Sequence, residues 1–332
     1  MSGKTDIVML GAGSWGTALA LHLSRAGRRV CLWGHDTEQM QAMQKDRVNA
    51  HYMPDHPFPD TLMVEPDLEK ALASCSDWMI AVPSSAFAEF MERIRPHAPA
   101  DVRVAWVTKG LDPTTNRLLD ERVEQSFPGR PMAVLSGPSL AAEVAQSLPT
   151  AVVVAGSDQQ FNADIQALFH VNNFRVYQNP DIKGVELCAA LKNVLAIGVG
   201  LSDGLGMGSN ARAALITRGL AEVRRLCEAL GGQAETLFGL AGLGDLLLTS
   251  TDDRSRNRRF GLALGRGLSI EQTLQEIGQA VEGYVNCKYA HLLAQEVGVS
   301  APIVEKVYQV AHEGLDPQQA AQKLMQRQPT AE

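Results

Sequence analysis

The chain has little of what marks several specialised classes of protein. Its 332 residues include only five cysteines, and these are scattered without a C-x-x-C pair. Such a set provides no framework of disulfides and no zinc site, and it suits a reducing compartment. We therefore expect a cytoplasmic protein that needs no metal.

Long apolar stretches and an excess of positive charge are also missing. No uninterrupted apolar run of about 18 residues is present, and the start of the chain does not resemble a signal peptide. We expect neither a membrane span nor export. The net charge of −7 argues against a general nucleic-acid surface, although a local basic patch could still bind phosphate.

The most informative feature that is present lies at the start of the chain. The apolar run Ile7–Leu10 predicts a buried strand, and it is followed by Gly11, Gly13 and Gly16 in the pattern G-x-G-x-x-G and then by a helical pattern. In a dinucleotide site these glycines permit a tight turn, close approach of a pyrophosphate, and close packing of the helix on its strand. The helix N-terminus would attract the pyrophosphate. The alternative is a glycine-rich turn without a ligand.

The character of the chain changes near Pro180. Before it, short apolar runs alternate with helical segments, which predicts a mostly parallel sheet covered by helices on both faces. After it, long helical patterns dominate. We predict an α/β fold, with a Rossmann-like domain over residues 1–179 and an all-helical C-terminal domain over residues 180–332. The predicted strands are Ile7–Leu10, Val30–Trp33, Trp78–Val82, Val104–Val107, Ala133–Leu135 and Ala151–Ala155.

Two lysines are candidates for acid–base chemistry. Lys109 follows the predicted strand Val104–Val107, and ligands of doubly wound sheets lie beyond the carboxyl ends of the strands; the alternative is a solvated loop lysine. Lys192 interrupts an apolar helical stretch, so it either extends along the helix surface to water or is held in a cleft. Burial lowers the pKa of a lysine toward neutrality, which suits a general acid or base.

Three polar segments provide further candidates. Asp245 ends a glycine-rich connection and is either a helix N-cap or a carboxylate that orients a lysine. Ser255, Arg256 and Asn257 lie in a charged run at a helix start, which is either a solvated face or a seat for a phosphate. The segment Ser136–Ala141 follows a strand and is either an ordinary helix start or a loop that faces a cleft.

Taken together, these segments resemble one family, the bacterial NAD(P)-dependent sn-glycerol-3-phosphate dehydrogenases. The matching strings run in family order over nearly the whole chain, and their joint agreement is far more specific than any one of them. They are Gly11–Ala18, Lys109–Gly110, Leu135–Ser139, Leu191–Asn193, Ser202–Gly206, Ala213–Gly219, Gly242–Asp245, Ser255–Arg258 and Val281–Gly283.

The resemblance implies a role for each matching residue. It makes Lys192 the proton acceptor, with Lys109 and Asp245 beside it in the catalytic centre. The residues implied in cofactor binding are Gly11, Gly13, Ser14, Trp15, Gly16, His35, Lys109, Ala141, Arg256, Ala280 and Glu282. Those implied in substrate binding are Lys109, Gly137, Ser139, Lys192, Asp245, Ser255, Arg256 and Asn257. Ala280 departs from the larger, valine-like residue expected at its position, which puts only a packing contact in doubt.

The resemblance also implies an activity. This is the reversible, NAD(P)H-dependent reduction of dihydroxyacetone phosphate to sn-glycerol 3-phosphate, which supplies glycerophospholipid synthesis, by a homodimer. Two rival hypotheses are a related β-hydroxyacid dehydrogenase, which would act on a carboxylate substrate, and a nucleotide sensor without catalysis. A requirement for phosphate on the substrate would favour the first activity over the β-hydroxyacid dehydrogenase.

The choice between NAD and NADP depends on the end of the second strand. An NAD site usually has an acidic residue there, about 20 residues beyond the glycine motif. Here the strand ends at Trp33, and Asp36 comes only after Gly34 and His35. We therefore expect NADP to be accepted through His35, with NAD accepted as well.

Overall fold

The structure is a computed structural model that describes residues 5–328. It divides into two compact units. The first contains the residues up to Thr108 together with Leu119–Ile182, and the second contains Lys109–Leu118 together with the residues from Lys183 onward. The predicted division at residues 179 and 180 differs from these units in the segment Lys109–Leu118 and in residues 180–182, and it stays a prediction.

The first unit is built on an eight-stranded sheet in the order β3-β2-β1-β4-β5-β6-β7-β8. Its neighbouring strands are parallel except for the pair β6 and β7, an antiparallel pair that the sequence analysis did not anticipate. The strands are β1 Ile7–Leu10, β2 Val30–Trp33, β3 Leu62–Val64, β4 Asp77–Ile80, β5 Arg103–Trp106, β6 Met132–Ser136, β7 Thr150–Gly156 and β8 Phe174–Asn179.

Helices cover this sheet and account for its apolar strands. Every residue of β1 is fully buried, as expected for a central parallel strand that is covered on both faces. The predicted mostly parallel, Rossmann-like sheet is confirmed. The helices are α1 Ser14–Arg25, α2 Thr37–Asp46, α3 Leu68–Ala73, α4 Ser84–Ile94, α5 Leu119–Ser126, α6 Ala141–Ala145 and α7 Gln159–Phe169.

From Ile182 onward the described residues contain helices and connecting segments but no strand, which confirms the helical character predicted for this part. A 3-10 turn at Ala234–Phe238 and a π-helical turn at Leu240–Gly244 lie between α9 and α10. The α-helices are α8 Ile182–Gly204, α9 Gly208–Ala229, α10 Asp245–Thr251, α11 Arg256–Gly265, α12 Ile270–Ile277, α13 Glu282–Glu296, α14 Pro302–His312 and α15 Pro317–Met325.

Helix α8 is the central helix of the second unit. Among the described residues it is the one helix long and apolar enough to cross a membrane by length and composition, with a mean hydropathy of 1.6. However, 94% of that apolar stretch is buried inside the protein. The same test is passed by the core helices of globular proteins, so the apolar sequence of α8 is explained by packing.

Helices α8 and α11 cross with their backbones in contact. The contact depends on four glycines, at positions 200 and 204 of α8 and at positions 261 and 265 of α11. A Cβ atom added at any of them would lie between 2.1 and 2.5 Å from a carbonyl oxygen of the other helix. Because no side chain larger than hydrogen fits, the crossing sets the position of α11 on α8 with little freedom.

We expect Gly261→Ala to destabilise the protein, because the new methyl group would meet the carbonyl oxygen of Ile197 at 2.1 Å. Overpacking of this kind costs about 1–3 kcal/mol of unfolding free energy. Thermal unfolding checks this, with Arg266→Ala, a change at an exposed position near the end of the same helix, as the control. Equal melting temperatures for the two variants would contradict the assigned contact.

Candidate active site

The glycine turn between β1 and α1 has the geometry that its sequence predicts. Gly11 has φ of 135°, and an added Cβ would lie 2.5 Å from the carbonyl oxygen of Ala81. At Gly16 an added Cβ would lie 2.0 Å from the carbonyl oxygen of Gly11. Around Gly13, by contrast, a Cβ would find nothing within 4 Å. Two glycines are therefore required by the fold itself, and the third borders open space.

The start of α1 offers groups suited to an anionic ligand. Ser14 and Trp15 form its first turn, which contains no acidic residue. The Nε1 atom of Trp15 is buried and has no hydrogen-bond partner in the described part of the chain. The turn is fastened by Asn49, which donates to the carbonyl oxygen of Ala12 at 3.0 Å and to the hydroxyl of Thr17 at 2.9 Å. Sequence reasoning missed Asn49, since nothing in its local pattern marks it.

His35 is exposed directly beyond β2, beside the glycine turn. Gly34 is buried there, and an added Cβ would lie 2.8 Å from the Cβ of Ala12. The next residue, Asp36, uses its carboxylate to cap α2 by accepting the N–H of Gln39 at 2.9 Å. The acidic residue is thus occupied within its own helix, in line with its late position in the sequence.

A second turn of the first unit follows β6. Gly137 has φ of 145°, and an added Cβ would lie 2.9 Å from the Cα of Val152. The hydroxyl of Ser139 donates to the carbonyl oxygen of Gly137 at 2.9 Å, which closes the turn. Ala141 begins α6, which packs on α1. The segment is therefore a helix start, and the binding roles of Gly137, Ser139 and Ala141 stay predictions.

In the second unit, two lysines share one carboxylate. The Nζ of Lys109 donates to one oxygen of Asp245 at 2.8 Å, and the Nζ of Lys192 donates to the other. Lys192 also donates to the hydroxyl of Thr249 at 2.9 Å. The side chains of Asp245, Lys192 and Lys109 are 1%, 8% and 15% exposed. The readings of Lys192 as a surface lysine and of Lys109 as a solvated loop lysine are therefore wrong.

Burial has a direct effect on the acid–base chemistry of this cluster. Loss of hydration lowers the pKa of Lys192, the charge of Asp245 opposes this, and the positive charge of Lys109 adds to the lowering; together they bring the pKa to about 7. A lysine in this state exchanges a proton near neutral pH. The depressed pKa agrees with the one expected from the apolar sequence around Lys192.

Local sequence explains how Asp245 comes to face the amines. The π-helical turn Leu240–Gly244 leads into α10, and Gly242 fits only without a side chain, since an added Cβ would lie 2.2 Å from the carbonyl oxygen of Leu237. Gly244, not Asp245, occupies the N-cap position of α10, so the N-cap reading of Asp245 is wrong. Asp245 and Thr249 stand four residues apart and share one face of the helix.

Side-chain amides connect the predicted residues of this unit. Asn257 donates to the amide oxygen of Asn193 at 2.8 Å and accepts the N–H of Gly283 at 2.8 Å. Because Asn193 follows Lys192 in the chain, this contact ties the start of α11 to the turn of α8 that carries the amine. It also places Glu282, the first residue of α13, next to the start of α11.

The loop that carries Lys109 is fixed by another amide. Asn286 on α13 accepts the N–H of Leu111 at 2.8 Å and donates to the carbonyl oxygen and the carboxylate of Glu282 at 2.9 and 3.2 Å. Asn286 is fully buried. Sequence reasoning missed Thr249, Asn193 and Asn286 as members of the site. Of the three, only Asn193 was marked in the sequence, by its place in the matching string Leu191–Asn193.

The start of α11 combines a helix cap with a guanidinium. The hydroxyl of Ser255 accepts the N–H of Arg258 at 3.2 Å and so caps the helix. Arg256 is half-buried and reaches the side chain of Gln279 at 3.4 Å, beside the exposed Ala280. Ser255 and Asn257 are buried. This part of the charged run is thus not a solvated face, and its role as a phosphate seat stays a prediction.

An ion-pair network around the buried Arg258 anchors this helix start. Arg258 is 7% exposed and pairs with Asp203, at the end of α8, and with Asp253, at 3.0 Å. Asp203 in turn pairs with Arg212 on α9 at 3.0 Å. Among residues 5–328, no group of three or more histidine, cysteine or carboxylate side chains is placed to hold a metal ion.

The glycine turn provides a matched pair of substitutions. We expect Gly16→Ala to cost about 1–3 kcal/mol of stability, since its methyl group would meet a carbonyl oxygen. Gly13→Ala should leave the melting temperature unchanged, because Gly13 has an ordinary φ of −72° and open space. Gly13→Ala should instead weaken NADPH binding about tenfold or more, measured by fluorescence titration. Unchanged affinity would remove Gly13 from the nucleotide site.

Comparisons with known proteins agree with this geometry. Residues 6–162 match the family model for the N-terminus of NAD-dependent glycerol-3-phosphate dehydrogenase, and residues 181–322 match the model for its C-terminus. The chain is 53% identical over 329 residues to a glycerol-3-phosphate dehydrogenase [NAD(P)+] of Coxiella burnetii, covering 99% of both chains. It is 51% identical to the enzyme of the same name from Tolumonas auensis, covering 98% of both.

A solved structure shows the same fold. The crystal structure of glycerol-3-phosphate dehydrogenase from Coxiella burnetii at 2.1 Å resolution superimposes with a TM-score of 0.95 at 52% identity. The match covers 98% of this chain and 100% of that one.

Proposed function

Since the chain belongs to the family of NAD-dependent glycerol-3-phosphate dehydrogenases, we propose that Lys192, Lys109 and Asp245 form its catalytic centre. The protein catalyses the reversible, NAD(P)H-dependent reduction of dihydroxyacetone phosphate to sn-glycerol 3-phosphate. The observation that carries the proposal is the buried carboxylate shared by two amines, one of which has its pKa lowered to about 7.

The first unit has the features that a nicotinamide dinucleotide requires. The open space beside Gly13 and the unpartnered Nε1 of Trp15 fit the approach of a pyrophosphate. The residues that would hold the cofactor there are Gly11, Gly13, Ser14, Trp15, Gly16, His35 and Ala141. We also assign Lys109, Arg256, Ala280 and Glu282 to its binding. When bound, the reduced nicotinamide supplies the hydride for the ketone carbon.

Lys192 acts as the general acid of reduction. As negative charge develops on the ketone oxygen, the ammonium donates a proton to it, and in the reverse reaction the neutral amine accepts the hydroxyl proton. Lys109 supplies a second positive charge that stabilises the developing oxyanion. Asp245 holds both amines in place, and Thr249 restricts Lys192 further through its hydroxyl.

The start of α11 holds the phosphate of the substrate. The first-turn N–H groups, the Arg256 guanidinium and the Asn257 side chain suit a phosphate dianion. The bond between Asn257 and Asn193 then sets the distance from the phosphate to Lys192, which orients the ketone. Gly137 and Ser139 border the substrate in this assignment. A carboxylate substrate, as in a β-hydroxyacid dehydrogenase, would form fewer hydrogen bonds with these groups than a phosphate.

Further assignments accompany this function. The chain works in the cytoplasm as a homodimer, and its product supplies glycerophospholipid synthesis. Its partners are small phosphorylated molecules, not nucleic acid. NADP is accepted as well as NAD, since Asp36, the first acidic residue after β2, uses its carboxylate to cap α2.

Cofactor choice is tested by steady-state rates. We expect measurable kcat/KM values with both NADPH and NADH, and we expect His35→Asp to lower the value for NADPH about tenfold or more while sparing NADH, because a carboxylate repels the 2′-phosphate. Absorbance at 340 nm follows both reactions. Strict dependence on NADH in the unchanged protein would contradict the proposal.

Removal of the proposed acid provides the most direct test. Lys192→Ala should lower kcat for dihydroxyacetone phosphate by about 10²–10⁴-fold and leave the Kd for NADPH nearly unchanged. Lys183→Ala, in the first turn of the same helix, is the control. Cofactor binding without turnover in the unchanged protein would favour a sensor, and full activity of Lys192→Ala would overturn the role of the lysine.

The pH dependence follows from the depressed pKa of Lys192. Reduction needs the ammonium, so its kcat/KM should fall as pH rises through about 7, while kcat/KM for oxidation should rise over the same interval. Lys109→Met removes a positive neighbour and should move the inflection to higher pH, whereas Asp245→Asn should move it lower. Inflections that stay fixed in both variants would show that another group titrates.

A further inference from the structure

The second unit contains a large cavity that is separate from the proposed catalytic centre of Lys109, Lys192 and Asp245. Its volume is about 610 Å³, and its walls come from α8, α9, α14 and α15 and the segments next to them. Cavities of this size are typical of sites for small molecules. Neither Lys109, Lys192 nor Asp245 lines it, so the proposed reaction does not explain it. We call it the bundle cavity.

The bundle cavity has an apolar interior and a positively charged rim. Most of its wall consists of aliphatic side chains such as Leu201 and Val307. Its cationic residues are Arg218, Arg225, Lys306 and Arg327, and among residues 5–328 Glu222 is the only acidic residue of the wall. The lining therefore has an excess of positive charge, which an uncharged ligand would not use.

The positively charged residues of the wall differ in whether they already form hydrogen bonds or ion pairs within the protein. Arg225 donates to the carbonyl oxygen of Ser300 at 2.8 Å, and Lys306 pairs with its neighbour Glu305 at 2.8 Å. For the side chains of Arg218 and Arg327, both exposed, no hydrogen bond or ion pair is found in residues 5–328. The charge of Arg327 does act on the nearby carboxyl of Glu222, whose pKa it lowers, but the N–H groups of both guanidiniums can still donate to an anion at the edge of the apolar interior.

The carboxylate of Glu222 does not prevent an anion from binding at Arg218 and Arg327. It is 2% exposed, and its carboxylate accepts the N–H groups of Ile303 and Val304, at 2.7 and 3.2 Å, at the start of α14. Its negative charge is thus turned toward a helix N-terminus. Desolvation also raises the pKa of Glu222 to about 7, so that part of this charge is absent near neutral pH.

We propose that the bundle cavity binds an amphipathic anion, with a single alkyl chain in the apolar interior and a carboxylate or phosphate head against Arg218 and Arg327. The apolar lining accounts for the chain, and the two guanidiniums without a hydrogen bond or ion pair in residues 5–328 account for the head. Because α8 carries both Lys192 and Leu201, the same helix borders the catalytic cluster and this site.

Isothermal titration calorimetry on the full chain tests this, with dodecanoate and dodecyl phosphate as probes below their micellar concentrations and dodecanol as the uncharged comparison. We expect one site per chain for at least one anion, and affinity at least about tenfold above that for dodecanol. Binding of only one anion identifies the head group as carboxylate or phosphate. Equal binding of dodecanol, or no binding of either anion, overturns the proposal.

Variants locate the site. Arg218→Met should weaken anion binding about tenfold or more, and Ala321→Phe, which fills the cavity, should abolish it. Arg224→Met, at an exposed position of the same helix outside the wall, is the control. All three should keep the circular dichroism and reductase rate of the unchanged protein. If Arg218→Met and Ala321→Phe bind the anion normally, the site lies elsewhere and the proposal fails.

Sedimentation equilibrium distinguishes the remaining occupant, a second copy of the chain. If Ala321→Phe converts a dimer to a monomer and the unchanged protein binds no anion, the cavity is part of an interface between copies and the proposal is overturned. An unchanged oligomeric state, together with loss of anion binding in this variant, supports it.

Discussion

A single buried carboxylate, that of Asp245, holds Lys109 and Lys192 together. Two ammonium groups placed side by side away from water would repel each other and lose their hydration. Asp245 offsets one of the two positive charges, and in the proposed mechanism the other is left for an oxygen that becomes negative during reaction. The depressed pKa of Lys192 results from the same balance, since burial and Lys109 act against Asp245. The same three charges therefore determine the stability of this cluster and, in the proposed mechanism, its reactivity.

Backbone contacts bring the other groups to this cluster. The four-glycine crossing of α8 and α11 leaves no room for sliding, so Ser255, Arg256 and Asn257 have a defined position relative to Lys192. The buried amides of Asn193, Asn257 and Asn286 extend this order to α13 and to the loop of Lys109. Such amides form hydrogen bonds with buried backbone groups and also position side chains. Replacing one of them would therefore leave a buried polar group without its partner.

Much of this organisation can be predicted from the sequence, and the elements and site residues that were not predicted were missed for physical reasons. Strands β1 and β2 have the predicted bounds, because their apolar runs determine them locally. The edge strands β3 and β8 were missed, since one has only three residues and the other alternates buried and exposed positions. Lys192 was recognisable as a charge in an apolar helix. Thr249 and Asn286 were not, because their roles arise only when α8, α10 and α13 pack together.

The segment Lys109–Leu118 belongs to the second unit, although the chain on both sides of it belongs to the first. The polypeptide consequently passes from one unit to the other three times. A fragment cut near residue 180 would separate Asp245 from one of its two amines, which is 136 positions away in the chain. The helical unit is therefore not a contiguous module that could be exchanged whole between proteins, and any replacement of the nucleotide-binding half would have to retain this inserted decapeptide.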